Sequence, residues 1–216
     1  RSAAHCSASG GWVCKAQGLD LRLQMSNTQF VIRALIFSLA GSILVFLGVG
    51  QLLTDEWTVS TTKRMNASPA AIADAVQDLR RWDEWSAMRF TLGSPTRRTY
   101  EGEPGAPGQV EIWTGPLGRA TVTLDAVTES GVDYRILFGT GTGEEAGTFK
   151  AGGKFTGSIR WEQADSAVDV TWTERGQLSS TIQRWSSWFG ALQLKVQTVQ
   201  RASLHGLSDM LSEEAK

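Results

Sequence analysis

Residues 34–53, ALIFSLAGSILVFLGVGQLL, run for twenty positions without a charge. A helix crosses a bilayer core with about 20 apolar residues, so this run is long enough to span one. Arg33 stands before it, and Asp55 and Glu56 follow. A cleaved signal peptide and the core helix of a soluble domain are the competing readings. No A-x-A-like cleavage site follows the run, which weighs against the first. A soluble core helix normally keeps a polar stripe, and this run has none. The expectation is a transmembrane anchor over residues 30–53. Gly41, Gly48 and Gly50 lie along it, but their spacing is not G-x-x-x-G and gives little support for helix pairing in the membrane.

Residues 1–24 show no hydrophobic period. Met25, SNTQFVIR and then the apolar run make a natural opening for an anchored protein, so 1–24 is expected to be a disordered or non-native upstream segment. His5, Cys6 and Cys14 fall there. Two cysteines exclude a disulfide framework, and no paired metal-ligand spacing is present. Arg33 lies on the near flank of the anchor, while Lys63 and Arg64 lie inside an expected strand. The positive-inside rule therefore leans toward a cytoplasmic N-terminus with the following domain outside.

A net charge of −1 offers no basic stripe, so nucleic acid is not an expected partner. From Trp57 the hydrophobic period becomes two. Trp57, Val59 and Met65 share one face of 57–65. SPAAIADAVQDL follows as a short helix, with Ser68 as N-cap and Pro69 at the first helical position. Leu79 to Trp85 makes a second. GEPGAPG at 102–108 is a loop. Alternation then groups Val110 with Ile112; Ala120, Val122, Leu124 and Ala126; Val132, Tyr134, Ile136 and Phe138; Phe155, Ile159 and Trp161; Val168, Val170 and Trp172. Opposite faces are polar, as in antiparallel strands covered on one side. Finally Leu178, Ile182, Trp185, Phe189, Leu192, Val196 and Val199 step by alternating fours and threes. One helix over 178–212 is expected, roughly 50 Å long.

The domain over 55–212 thus reads as strand, two short helices, about six strands and one long helix. This order, with SPAAIADAVQDLRRWDEWS after the first strand, resembles the START-like, or SRPBCC, superfamily. Its bacterial members include polyketide cyclase/dehydrase-like proteins, and a membrane-anchored branch is the most similar. Asp78-Leu79 with Trp82 and Trp85, IWTG at 112–115, VTWTERG at 170–176 and HGL at 205–207 carry the resemblance. It implies an α+β helix-grip fold: a curved antiparallel sheet wrapped around a long C-terminal helix, with two short helices after the first strand and one N-terminal transmembrane helix ahead. It also implies a deep apolar cavity between sheet and helix, and a bacterial inner-membrane location. The Gly-rich segment 139–154 departs from that branch and reads as a rim or a long hairpin.

Nine Trp against two Tyr make the tryptophans the first candidates for such a cavity. Trp82 and Trp85, three apart in LRRWDEW, share a helix face. A structural plug at one end of the sheet–helix sandwich is the preferred reading; direct ligand contact and a catalytic role for Asp83 or Glu84 are the alternatives. Trp82, Trp85, Trp113, Trp161, Trp172, Glu174 and Trp185 are the candidate residues of the cavity or its mouth. Glu174 shares parity with Trp172, and Glu111 flanks Trp113 on the face opposite Val110 and Ile112. An inward carboxylate would have a raised pKa and serve as acid, base or ligand anchor. The plainer expectation leaves Glu174 wet at a strand end beside Arg175. His205 is the one histidine after the anchor, no G-x-S-x-G occurs, and GTGTGEE lacks the lysine of a phosphate loop. No catalytic residue, metal or cofactor is expected. The leading function is a membrane-tethered, non-enzymatic binder of a hydrophobic small molecule or lipid. The alternatives are a cyclase- or dehydratase-like enzyme, or an interaction module with a filled core.

Overall fold

The computed structural model describes residues 17–90, 97–116, 118–139 and 154–214. Residues 140–153, with most of the Gly-rich segment, lie outside these, as do His5, Cys6 and Cys14. The chain divides into two compact units, and the second begins at Gly50.

The first unit is dominated by helix α1, Gln17–Leu52, whose last three residues belong to the second. Over Gln29–Leu52 it is long and apolar enough to cross a membrane. Between residues 29 and 49 no side chain is buried.

In the second unit every alternating segment becomes a strand, because one face of each finds a cover. The elements are β1 (Glu56–Met65), α2 (Pro69–Gln77), α3 (Trp82–Trp85), β2 (Arg97–Glu101), β3 (Val110–Gly115), β4 (Gly118–Thr128), β5 (Gly131–Gly139), β6 (Lys154–Ala164), β7 (Ala167–Gln177), α4 (Thr181–Trp188) and α5 (Ala191–Glu214). They build one curved seven-stranded antiparallel sheet in the order β1-β7-β6-β5-β4-β3-β2. Strands β2 to β7 form a meander, and β1 returns to pair with β7 from Glu56↔Gln177 to Met65↔Val168. A register shift between Leu124 and Ala126 marks a bulge in β4.

The core lies between the sheet and helices α2, α3 and α5. Ser68 caps α2 by accepting from the Ala71 N–H at 3.1 Å, with Pro69 at the first turn. Asp78 stops that helix and accepts from the Arg80 N–H at 3.0 Å, which starts a tight turn over Leu79–Arg81. Trp82 and Trp85 then point inward. Their indole N–H groups donate to the carbonyls of Val76 (2.8 Å) and Ala75 (3.1 Å) in α2. The neighbouring charges stay at the surface: Arg81 pairs with Asp74, Glu84 and Glu214, tying α2 and α3 to the end of α5. In LRRWDEW the tryptophans are therefore packing and the charges are an ion-pair clasp.

Two expectations need correction. The inward face of β3 is Glu111 and Trp113, both buried, while Val110 and Ile112 are half-buried. The single helix over 178–212 is broken. Gly190 sits at φ +76°, the left-handed region that glycine enters without strain, and it separates α4 from α5. The break re-phases the apolar stripe. Ile182 and Phe189 face out, and the fully packed face of α5 is Gln200, Ser203, Leu204, Leu207 and Leu211.

Candidate functional site: a cavity between the sheet and α5

Where the stripe of α5 does not reach packed core, it borders a cavity of about 280 Å³. Leu192, Lys195, Val196 and Val199 form the helix side; Trp57, Ile136, Phe138, Phe155 and Glu174 form the sheet side, and Met88 closes the wall. Phe138, Phe155, Leu192, Val196 and Val199 are only half-buried, as side chains facing an unfilled space must be, and Lys195 is exposed. Trp57 meets Phe155 edge-on at 5.2 Å, and Phe155 meets Phe138 at 5.4 Å, so the aromatic wall is self-supporting. A larger depression, about 440 Å³, lies at the shared end of β1, β6 and β7. Its lining includes Glu56, Thr58, Thr156, Arg175 and Gln177, and a polar surface of that kind suits water rather than an apolar ligand.

Glu174 is the one acid on the cavity wall. It is inward and 8% exposed, contrary to the wet strand end expected of it. Tyr134 donates to its Oε1 at 2.8 Å, and the Gln200 amide lies 3.4 Å from Oε2. The Tyr134 hydroxyl accepts in turn from the Trp172 indole at 2.6 Å, and Gln200 accepts from Thr61 at 2.8 Å. Cross-strand register explains the reach. Tyr134 stands opposite Gly157, and Gly157 stands opposite Glu174. The tyrosine ring crosses over Gly157, where any Cβ would collide with it, and meets the carboxylate two strands away. Burial pushes the Glu174 carboxyl up, with the bonds from Tyr134 and Gln200 opposing. Burial and the nearby Glu174 push the Tyr134 hydroxyl well up.

A second buried acid stands apart. Glu111 is fully buried and accepts from Arg98 at 2.8 Å and from Tyr100 at 3.2 Å. Arg98 also lies over the Trp113 ring, 5.5 Å from its centroid, and 3.3 Å from Asp83. Burial raises the Glu111 carboxyl against the pull of Arg98, and burial with Glu111 lifts Tyr100 to about 12. Three strands separate β3 from β7, on the order of 20 Å along the sheet, so the two acids do not work as a pair.

Of the residues predicted for the cavity or its mouth, Glu174 alone lines it. Trp82, Trp85 and Trp172 form a buried aromatic cluster with Tyr134, with ring centroids 5.2–6.2 Å apart. Trp113 is covered by Arg98, and Trp161 is buried opposite Val170. Trp185 is half-buried on α4, stacked with Phe189 at 5.7 Å. The residues that line the cavity carried a signal of their own. Ile136 and Phe138 share the parity of Tyr134, and Leu192, Val196 and Val199 are the second half of the stripe. His205 is exposed, with its Nδ1 2.8 Å from the Lys63 amine. Among the described residues no group of three or more His, Cys, Asp or Glu is placed to hold a metal.

The sequence matches no protein-family model and no curated protein. Solved structures do match. A protein from Nitrosospira multiformis aligns at 16% identity with a TM-score of 0.50, covering 74% of this chain and 100% of its own. Ara h 8.0201, a Bet v 1-like protein, aligns at 17% with a TM-score of 0.51, covering 73% and 99%. A protein from Rhizobium leguminosarum aligns at 12% with a TM-score of 0.50, covering 73% and 95%. The fold is the helix grip. At such identities the likeness speaks for the fold alone.

Proposed function

We propose that this chain is a membrane-tethered, non-enzymatic binder of a hydrophobic small molecule or lipid, of the START-like (SRPBCC) kind. Residues 30–53 form the anchor and 55–212 the binding domain. The apolar cavity with one carboxylate on its wall carries this reading. Its volume, near the low end of the ~300–1,000 Å³ typical of small-molecule sites, suits one compact ligand or part of an acyl chain. The cavity weighs against a filled-core interaction module. Trp82, Trp85 and Trp172 support the wall from behind, and Glu174 orients a polar group on the ligand.

A cyclase- or dehydratase-like activity is the second reading. Glu174 favours it, because a buried, raised carboxyl held by Tyr134 is able to exchange a proton with a bound substrate.

Native mass spectrometry of residues 50–216, with organic extraction of bound material, tests the first reading. A stoichiometric hydrophobic adduct is expected, lost when the cavity is filled by Val196→Trp. A clean apo mass after exposure to a mixed lipid extract refutes it.

A further inference from the structure

The apolar side chains that the fold leaves uncovered around α4 have a definite place. Among the described residues after Leu52, the large exposed hydrophobic side chains are Ile182 (74%), Trp188 (61%), Phe189 (69%) and Leu194 (64%). Trp188 and Phe189 are in ring contact at 4.9 Å, so they present one patch rather than scattered residues. The same short helix, α4, holds the stretch of chain that ends the apolar run. The Gln51 amide donates to the Thr181 hydroxyl at 2.6 Å, and the Arg184 guanidinium donates to the Gln51 carbonyl at 3.0 Å. Arg184 also lies 4.0 Å from Asp55, and Gly50 lies directly against Thr181 and Trp185.

From this contact we infer that α4 sits in a lipid bilayer at the headgroup–acyl boundary, with Ile182, Trp188 and Phe189 buried in lipid. The inference rests on the membrane-tether reading proposed above. If Gln29–Leu52 spans the bilayer, residues 50–53 mark its surface, and α4 is bonded to those residues. Tryptophan favours that depth, because its ring is apolar and its N–H finds water or headgroup oxygens. Trp188 and Phe189 together suit an interfacial helix better than a water-facing one. The consequence reaches the cavity. α5 starts just after Gly190, and Leu192 and Val196 already line the cavity, so an apolar ligand leaving the bilayer has a short path to it.

The test uses the full chain in liposomes of phosphatidylcholine and phosphatidylglycerol. Cys6 and Cys14 are changed to serine, and single cysteines carry an environment-sensitive fluorophore in Leu39→Cys, Trp188→Cys or Ser166→Cys. Position 166 is the exposed β6–β7 turn, about 30 Å along the strands from residue 56. Lipid nitroxides at shallow and deep acyl positions, and aqueous iodide, then locate each label. The expected result is that the label at 188 loses most of its emission to the shallow nitroxide and little to iodide, with the reverse at 166 and deep-nitroxide quenching at 39. If 39 is quenched by lipid while 188 is open to iodide, the seat is wrong and the tether stands. If 188 is shielded from both quenchers, protein covers the patch, and the seat is wrong again. If 39 escapes the lipid nitroxides, the tether reading fails and this inference fails with it.

Discussion

Tyr134 reaches across Gly157 to donate its hydroxyl to Glu174 at 2.8 Å, joining three strands through one side-chain bond. The geometry holds a desolvated carboxyl on the wall of an otherwise apolar cavity. Burial is the largest influence on that carboxyl and raises its pKa from the ordinary glutamate value of 4.5. The unfolded chain then sheds its proton at lower pH than the folded one. Below the ordinary value both states hold the proton, and the stabilising contribution is complete. As pH climbs through the window up to the raised folded value, that contribution is lost. Glu111, also raised by burial, acts with the same sign. Melting temperature is therefore expected to fall from acid toward neutral pH. Glu174→Gln should flatten the fall in part, and adding Glu111→Gln should flatten it further. A melting temperature that rises through that window in the wild type contradicts the assignment of both acids.

Gly157 has a geometric duty that its neighbours in β6 lack. A methyl group there collides with the Tyr134 ring, so Gly157→Ala must push the tyrosine off Glu174. The expected cost is about 1–3 kcal/mol of stability, from overpacking and from leaving buried polar groups without partners. Urea denaturation of residues 50–216 measures it. Tyr134→Phe in the otherwise unchanged chain should leave the ring packing in place and, because the Tyr134 bond opposes the rise of the Glu174 carboxyl, should steepen the fall of stability with pH. If Gly157→Ala is as stable as the parent, the ring does not occupy the position described.

Much of this fold was legible in sequence, for a physical reason. A strand covered on one face keeps its period of two, and β1, β5, β6 and β7 do so; β4 does so only as far as Val122, because the bulge after Leu124 breaks its alternation and leaves Ala126 half-buried. The α2 boundary was legible because Ser68 and Pro69 act locally. Two features depend on partners distant in sequence and were not legible. Glu111 turns inward because Arg98 and Tyr100, on the neighbouring strand, supply it with donors. Alternation alone assigned that face to solvent. The stripe from Leu178 to Val199 continues unbroken in sequence across Gly190, but a left-handed residue there rotates everything after it. For the cavity, the abundance of tryptophan drew attention to residues that, Glu174 apart, do not line it. Large rings fill space, so Trp82, Trp85 and Trp172 lie where the core is densest, and the cavity is lined by smaller stripe residues and Phe138, Phe155 and Trp57.

Cavity occupancy is predicted to respond to volume. Val196 and Val199 face the cavity from α5 and are half-buried. Val196→Trp places a ring in that space without displacing packed core. Affinity for a fluorescent fatty acid should fall at least about tenfold, or about 1.4 kcal/mol, with the melting temperature held or raised. Titration of residues 50–216 with the probe reads the first quantity and thermal unfolding the second. Unchanged affinity places the probe elsewhere, the polar depression near Arg175 being the obvious site to examine next.

The two classes of tryptophan should separate in a stability assay. Trp82 is 1% exposed, donates to the Val76 carbonyl and touches the rings of Trp85, Tyr134 and Trp172. Trp82→Ala removes a large buried ring and leaves a cavity, with an expected cost of about 3–5 kcal/mol. Trp188 is 61% exposed, and Trp188→Ala in the isolated 50–216 unit should stay within about 0.5 kcal/mol of the parent. Denaturant melts followed by far-UV circular dichroism compare them without relying on tryptophan emission. Equal losses for the two variants mean that Trp188 is covered in the isolated unit, and a negligible loss for Trp82→Ala means that the aromatic cluster is not the core of the sheet–helix sandwich.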